Sequence, residues 1–105
     1  MATLLENCEG FEWDDGNAKK NWYLHRVTDG ECEEIFFDLP ISIIFDKKLK
    51  KNEPRYIALG RTNADRRLFI VFVVRNRLIR VISARDMTRS DERRYEEKAK
   101  RNTDI

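Results

Sequence analysis

The side chains best suited to chemistry in this sequence are one histidine and a crowd of arginines. His25 is the chain's only histidine, and histidine is the side-chain type that ordinarily gains and loses a proton near neutral pH. Such a group can serve as general acid or base in phosphodiester transfer. The arginines are segregated, with eleven between Asn52 and Glu97 and no lysine among them. Lysine is sufficient for solubility, whereas a planar guanidinium fork matches phosphate oxygens and can stack on bases. Arg61 begins a loop, Arg80 interrupts an apolar run and Arg85 ends it. An arginine in mid-strand is costly unless it is paired, at an edge, or lining a solvated anion site. These three are therefore candidate phosphate ligands. Strict alternation over Leu78–Arg85 puts Arg80 on one strand face with Ile82 and Ala84, and Arg85 on the other with Val81 and Ser83.

Whatever holds these groups must be small. The chain has 105 residues, 41% hydrophobic and 38% charged, which predicts one domain over residues 1–105 with one core. No apolar run approaches the roughly 20 residues of a membrane-spanning helix, and residues 1–10 lack a secretory pattern. A cytosolic setting is expected, with no membrane partner. Cys8 and Cys32 are too few and too far apart for a zinc site, and a disulfide is not expected in a reducing compartment. The four glycines are not grouped into a phosphate loop. No metal and no cofactor are expected. The net charge of +2 conceals a division. Residues 1–46 carry three Lys and Arg against eleven Asp and Glu, a net −8; residues 47–105 carry eighteen against eight, a net +10. The basic part suits an anionic polymer.

The pattern of residues predicts an α+β fold. Asp15 is a candidate N-cap for a helix from about Gly16 to Arg26, with Ala18, Trp22 and His25 on one face. Thr28 and Glu31 have capping-box spacing, and the helix they open places Cys32, Ile35 and Phe36 on an apolar stripe. Four strands follow, at Ile41–Phe45, Arg55–Gly60, Leu68–Val74 and Leu78–Ser83, with a loop over Asp46–Asn52. The third reads as central and Arg75-Asn76-Arg77 as a tight hairpin connection. Short links predict an antiparallel meander. A weakly anchored helix runs from about Ser90 to Arg101. Phe11-Glu12-Trp13-Asp14 reads as an extended segment whose aromatics anchor the core and whose acids can pair with later arginines.

The order Phe11-Glu12-Trp13-Asp14, Asn21, His25, Val27, Glu31, Ile35-Phe36, Asp38, Glu53, Arg55, Ala58-Leu59-Gly60, Arg80 through Ile82-Ser83-Ala84-Arg85, Thr88, Glu92 and Tyr95 resembles the BrnT-type toxins, also called the DUF497 family. It extends over about residues 11–97. The resemblance implies a RelE-like fold: N-terminal helices packed on a four-stranded antiparallel sheet, then a C-terminal helix. It implies a ribonuclease toxin of a type II toxin–antitoxin system that cleaves RNA without metal. A BrnA-type antitoxin would neutralise it, with DNA reached only indirectly through that antitoxin. Two positions where family members commonly carry lysine hold Asn17 and Leu24, and the glycine that commonly follows the histidine is Arg26.

The reaction so implied is attack by the RNA 2′-OH on the adjacent phosphorus. His25 is the expected acid or base, Arg61, Arg80 and Arg85 the phosphate ligands, and Glu53 a further candidate base. Arg55, Lys20, Arg26 and Tyr95 are expected to contact RNA. The rival expectation, prompted by Asn17 and Leu24, is a binding module that keeps the antitoxin or RNA surface and has lost cleavage.

Overall fold

The computed structural model describes residues 2–46 and 53–103. Its elements are α1 (Ala2–Glu6), β1 (Gly10–Phe11), α2 (Lys20–His25), α3 (Asp29–Glu34), β2 (Ser42–Phe45), β3 (Tyr56–Arg61), β4 (Arg67–Arg75), β5 (Leu78–Asp86) and α4 (Arg89–Thr103). The strands form one sheet in the order β1-β5-β4-β3-β2. The α+β class and the meander β2-β3-β4-β5 agree with the sequence reading, but the sheet is not purely antiparallel. Gly10 and Phe11 pair in parallel with Leu78 and Ile79, adding a fifth strand. The four-stranded, RelE-like arrangement is corrected to a mixed five-stranded one. The physical reason is the Phe11 segment, which is pinned against β5 rather than merely packed near it. The loop expected over Asp46–Asn52 lies, after Asp46, outside the described residues.

The segment from α2 through α3 covers one face of the sheet, and α4 lies against the other, where Arg67 and Arg85 meet its Glu96 and Asp91. Val27, Cys32 and Ile35 pack on Ile43, Ala58, Leu68, Ile70, Phe72, Ile79, Val81 and Ala84. Thr28 opens α3 with the expected box: Glu31 N–H donates to Thr28 Oγ1 at 3.0 Å, and Thr28 N–H donates to Glu31 Oε1 at 3.0 Å. Such a cap stabilises a short helix by about 1 kcal/mol. Burial of Cys32 pushes its thiol up to about 12, as fits a small core residue rather than a nucleophile. Gly60 is where α3 and the sheet meet most closely. A Cβ there would stand 3.1 Å from Ile35 Cβ and 3.2 Å from Ile35 O, so only hydrogen fits without movement.

The helix expected over Gly16–Arg26 is shorter than its periodicity implied. Residues 14–19 form turns held by Asp14: its side chain accepts from Gly16 N–H at 2.8 Å, and its carbonyl accepts from Asn17 and Ala18. Asp15 is not the N-cap; α2 begins after Lys19, which has φ 61°. Trp22 and His25, expected to share a face with Ala18, are exposed, and Asn21 is the buried residue of the helix.

The outer edge of β5 explains that orientation. Beyond β1, its backbone groups are met by Glu12 N–H (to Ile79 O, 2.9 Å), Asn17 Nδ2 (to Val81 O, 3.1 Å), Lys20 Nζ (to Ile82 O, 3.2 Å) and Asn21 Oδ1 (from Ala84 N–H, 2.9 Å). An open edge would invite intermolecular pairing. Here polar side chains from the turn and α2 close it, so α2 turns its amides inward and its aromatics outward.

At the other end of the sheet, Asn76 and Arg77 connect β4 to β5 with φ of 52° and 66°. Positive φ at both central residues is the twist-matched geometry of a two-residue hairpin. At the C-terminus, Thr88 and Asp91 cap α4 reciprocally (Asp91 N–H to Thr88 Oγ1 3.2 Å, Thr88 N–H to Asp91 Oδ2 2.9 Å).

Candidate active site

The face of the sheet turned away from the core is built by one irregularity. Pairing of β4 with β5 shifts between Val71 and Phe72: Val71 lies opposite Ser83, but Phe72 lies opposite Val81, leaving Ile82 as an extra residue. The bulge changes the phase of β5. Ile79 and Val81 point into the core before it and Ala84 after it, so Arg80 and Arg85 fall on the same outer face, opposite Val73 and Phe69. Simple alternation had separated them. By the same register, Arg61, Arg67 and Arg75 also lie on this face. All five arginines within β3, β4 and β5 therefore share one face, with half-buried Ile57, Phe69 and Val71 and fully buried Leu59 and Val73 among them.

Each of these guanidiniums is already held. Arg80 donates from Nη1 to Glu12 Oε1 at 2.9 Å and to Asp14 Oδ2 at 2.8 Å, and from Nη2 to Asp14 Oδ1 at 3.0 Å. Its side chain is only 13% exposed. The Asp14 hydrogen bonds, followed by those of Glu12, raise the Arg80 pKa further, and Arg80 in turn lowers that of Asp14. This fulfils the expectation that the acidic opening segment pairs with later arginines. Arg85 donates to Asp91 Oδ2 at 2.9 Å, with its guanidinium 3.9 Å from the Phe69 ring centroid. Arg75 forms a two-bonded pair with Glu53 (Nε to Oε2, Nη2 to Oε1 at 2.8 Å). That pair lowers the Glu53 pKa. Arg61 meets Leu39 O at 3.1 Å and Asp38 at 3.6 Å.

His25 ends α2 near the opposite end of β5 from the hairpin. Its side chain is exposed and makes no hydrogen bond or ion pair among the described residues. What surrounds it is organised by Arg66, which sequence reasoning did not single out. Arg66 donates to Asp86 (Nε to Oδ1 2.7 Å, Nη2 to Oδ2 3.1 Å) and to Glu31 at 3.2 Å. It also reaches the last carbonyls of α2, Arg26 O at 2.7 Å and His25 O at 3.3 Å. One guanidinium thus fastens the helix end to α3 and β5. Arg66 hydrogen bonds lower the Asp86 pKa, with a smaller contribution from His25. No regular spacing announces this role, because its partners lie 20 to 41 positions away.

The remaining expected residues are scattered. Glu53 meets Arg75 at the hairpin end, and β4 carries nine residues from Arg67 to Arg75. At about 3.3 Å per residue that strand puts Glu53 roughly 25 Å from the Asp86 end where His25 lies. Arg55 precedes β3 and adds to the field at Glu53. Lys20 is tied to the β5 edge, while the Arg26 guanidinium stands 5.2 Å from the Trp22 ring centroid. Tyr95 is buried at 3% exposure, donates to Pro40 O at 2.7 Å and lies beneath Arg67, so it anchors α4 instead of presenting a ring to RNA. Asn17 is likewise internal at 3% exposure, donating to both Glu12 O and Val81 O. Among the described residues no group of three or more His, Cys, Asp or Glu stands together as a metal site, and no helix is long and apolar enough to cross a membrane.

Fold and site together define a compact α+β protein with an arginine-bearing sheet face and one exposed histidine at a helix end. The family model for BrnT, the ribonuclease toxin of type II toxin–antitoxin systems, matches residues 13–91, and the chain belongs to that family. No curated protein matches it.

Proposed function

We propose that this chain is a metal-independent endoribonuclease that cleaves RNA by internal attack of the 2′-OH, and that a BrnA-type antitoxin neutralises it. A base removes the 2′-OH proton, the oxygen attacks phosphorus, and the P–O5′ bond breaks to leave a 2′,3′-cyclic phosphate. An acid returns a proton to the departing 5′ oxygen. His25 takes one of these proton-transfer roles. Arg85 and Arg80 bind the phosphoryl oxygens, whose charge grows in the transition state, where fixed cations help most. Arg61 is a more distant phosphate ligand. The observation that carries this reading is the Ile82 bulge, which sets Arg80 and Arg85 on one face of β5, the strand whose edge is closed by the helix that His25 ends. RNA phosphates would compete with Asp91 for Arg85 and with Asp14 for Arg80.

The test is cleavage of a short RNA by purified protein in EDTA, beside the same RNA lacking the 2′-OH at the scissile position. The expected result is cleavage of the first, binding without cleavage of the second, and loss of activity in His25→Ala. Cleavage of the deoxy substrate, or dependence on a divalent metal, overturns the mechanism.

A second reading is favoured by the ion pairs themselves. Every strand arginine already has a carboxylate partner, and Asn17, at a family lysine position, is committed to the β5 edge. On this reading the chain binds antitoxin or RNA without cutting. Expression that fails to arrest growth, with RNA left intact by pure protein, selects it.

A further inference from the structure

Helix α2 presents three consecutive large apolar side chains to solvent: Trp22 at 42% exposure, Tyr23 at 76% and Leu24 at 63%. They are embedded in Lys19, Lys20, His25 and Arg26, a basic island within the acidic first part of the chain. Beside Trp22 lies a cleft of about 330 Å³ lined by Lys19, Trp22, Thr28 and Asp29. It is larger than a nucleobase and open to solvent. Its wall is an aromatic ring, and its rim carries a carboxylate and a cation.

We propose that this cleft binds one nucleobase of single-stranded RNA, stacked on Trp22, and that Asp29 makes guanine the preferred base. The inference rests on the ribonuclease reading for its choice of RNA. Base–aromatic stacking is the usual means of holding unpaired RNA, and the surrounding cations suit the flanking phosphates. Trp22 and His25 stand at i and i+3, neighbours on one side of the helix roughly 5–6 Å apart, and the guanidinium of Arg26, just past the helix end, stands 5.2 Å from the Trp22 ring centroid. That spacing is close to one nucleotide step, so a base on Trp22 carries its phosphate toward His25. The guanine preference follows from donor count. Asp29 accepts Lys19 N–H through both oxygens, at 3.1 and 3.3 Å, which fixes the carboxylate and leaves a lone pair on each. An ionised carboxylate only accepts. Guanine offers it two adjacent donors, N1–H and the 2-amino group, whereas the other bases offer fewer on one edge.

The experiment titrates the protein with 2′-O-methyl hexauridylate carrying one guanosine, adenosine or cytidine, reading tryptophan fluorescence and anisotropy. The methyl group blocks the proposed cleavage. The other tryptophan, Trp13, is half-buried and donates to Glu33 at 2.7 Å, so Trp22→Phe identifies the signal. Quenching with the guanosine hexamer is expected, with Trp22→Ala weakening binding about tenfold or more, in line with stacking worth about 1–3 kcal/mol per base. Trp22→Phe should stay within about threefold, and Asp29→Asn, which keeps an acceptor for Lys19, should abolish the guanosine preference. Unchanged affinity in Trp22→Ala, or no preference for guanosine in the parent protein, overturns the proposal. If Trp22→Ala instead keeps RNA affinity and escapes neutralisation by its antitoxin, the patch belongs to a protein interface. Cleavage of the unmethylated hexamer is scored separately. Quenching without cleavage removes the ribonuclease reading and leaves the base site, while cleavage that ignores Trp22 does the reverse.

Discussion

The arginine face of the sheet and the outer side of α2 are both cationic, yet they are organised in opposite ways. On the sheet, Arg80 is held by two carboxylates and 13% exposed. On α2, Trp22 and Tyr23 stand in solvent with lysines beside them. A paired guanidinium is pre-oriented, and an anion gains from it only the difference between phosphate and carboxylate. The exposed Trp22 ring has the Arg26 guanidinium beside it and, among the described residues, no carboxylate holding it, so a ligand there displaces little besides water. On the proposed function, first encounter with RNA falls to α2 and the demanding, geometry-dependent contacts to the sheet.

The largest test of that division is His25→Ala in single-turnover cleavage, where loss of a general acid or base should lower the rate by about 10²–10⁴. Thermal stability should hardly move, because the ring is exposed. Next, Arg80→Ala and Arg85→Ala should each lower turnover by on the order of 10²–10³, the scale of removing one transition-state hydrogen-bond donor. Equal losses in rate and in folded fraction would return Arg80 to a purely structural role. Asn17→Leu removes no charge but strips Val81 O and Glu12 O of their Asn17 donor and Asp14 N–H of its acceptor. Urea unfolding should then report about 1–3 kcal/mol of lost stability.

The smallest effect concerns acid. The Asp86 and Glu31 pKa values are lowered in the folded protein. Arg66 is the chief cause at Asp86; at Glu31 burial opposes ionisation, and the Thr28 N–H and Arg66 overcome it. A depressed folded pKa contributes stability that is present above the unfolded value of about 4 and disappears as pH falls through the folded one. Melting temperature should therefore be flat from pH 7 to about 5 and fall below about 4. Asp86→Asn should blunt that fall, and a melting profile of unaltered steepness would remove Asp86 from the account.

Local chemistry was legible in the sequence, and long-range compensation was not. The Thr28–Glu31 box, the hairpin at Asn76-Arg77 and the apolar run of β4 are decided by residues a few positions apart. The start of α2 was misread because Ala18, Trp22 and His25 do fall on one helical side, and periodicity cannot say whether that side meets core or solvent. The deciding fact is that Asn21 must reach Ala84 N–H, 63 positions away. β1 has only two residues, too few to leave a pattern. His25, Arg80 and Arg85 could be named by residue type, but their relative placement depends on a bulge that alternation assumes away. Arg66 looked like any other loop cation.

That bulge gives the chain a point of fixed parity. Five positions separate Arg80 from Arg85, an odd number, and an unbroken pleat would turn one of them inward with the core. Ile82 acts as an added count that restores agreement between the two halves of β5. Substituting Ile82 with another residue keeps the count, whereas deleting it drives either Arg80 or Arg85 into the position of a core side chain. Length, rather than identity, is what this strand cannot surrender.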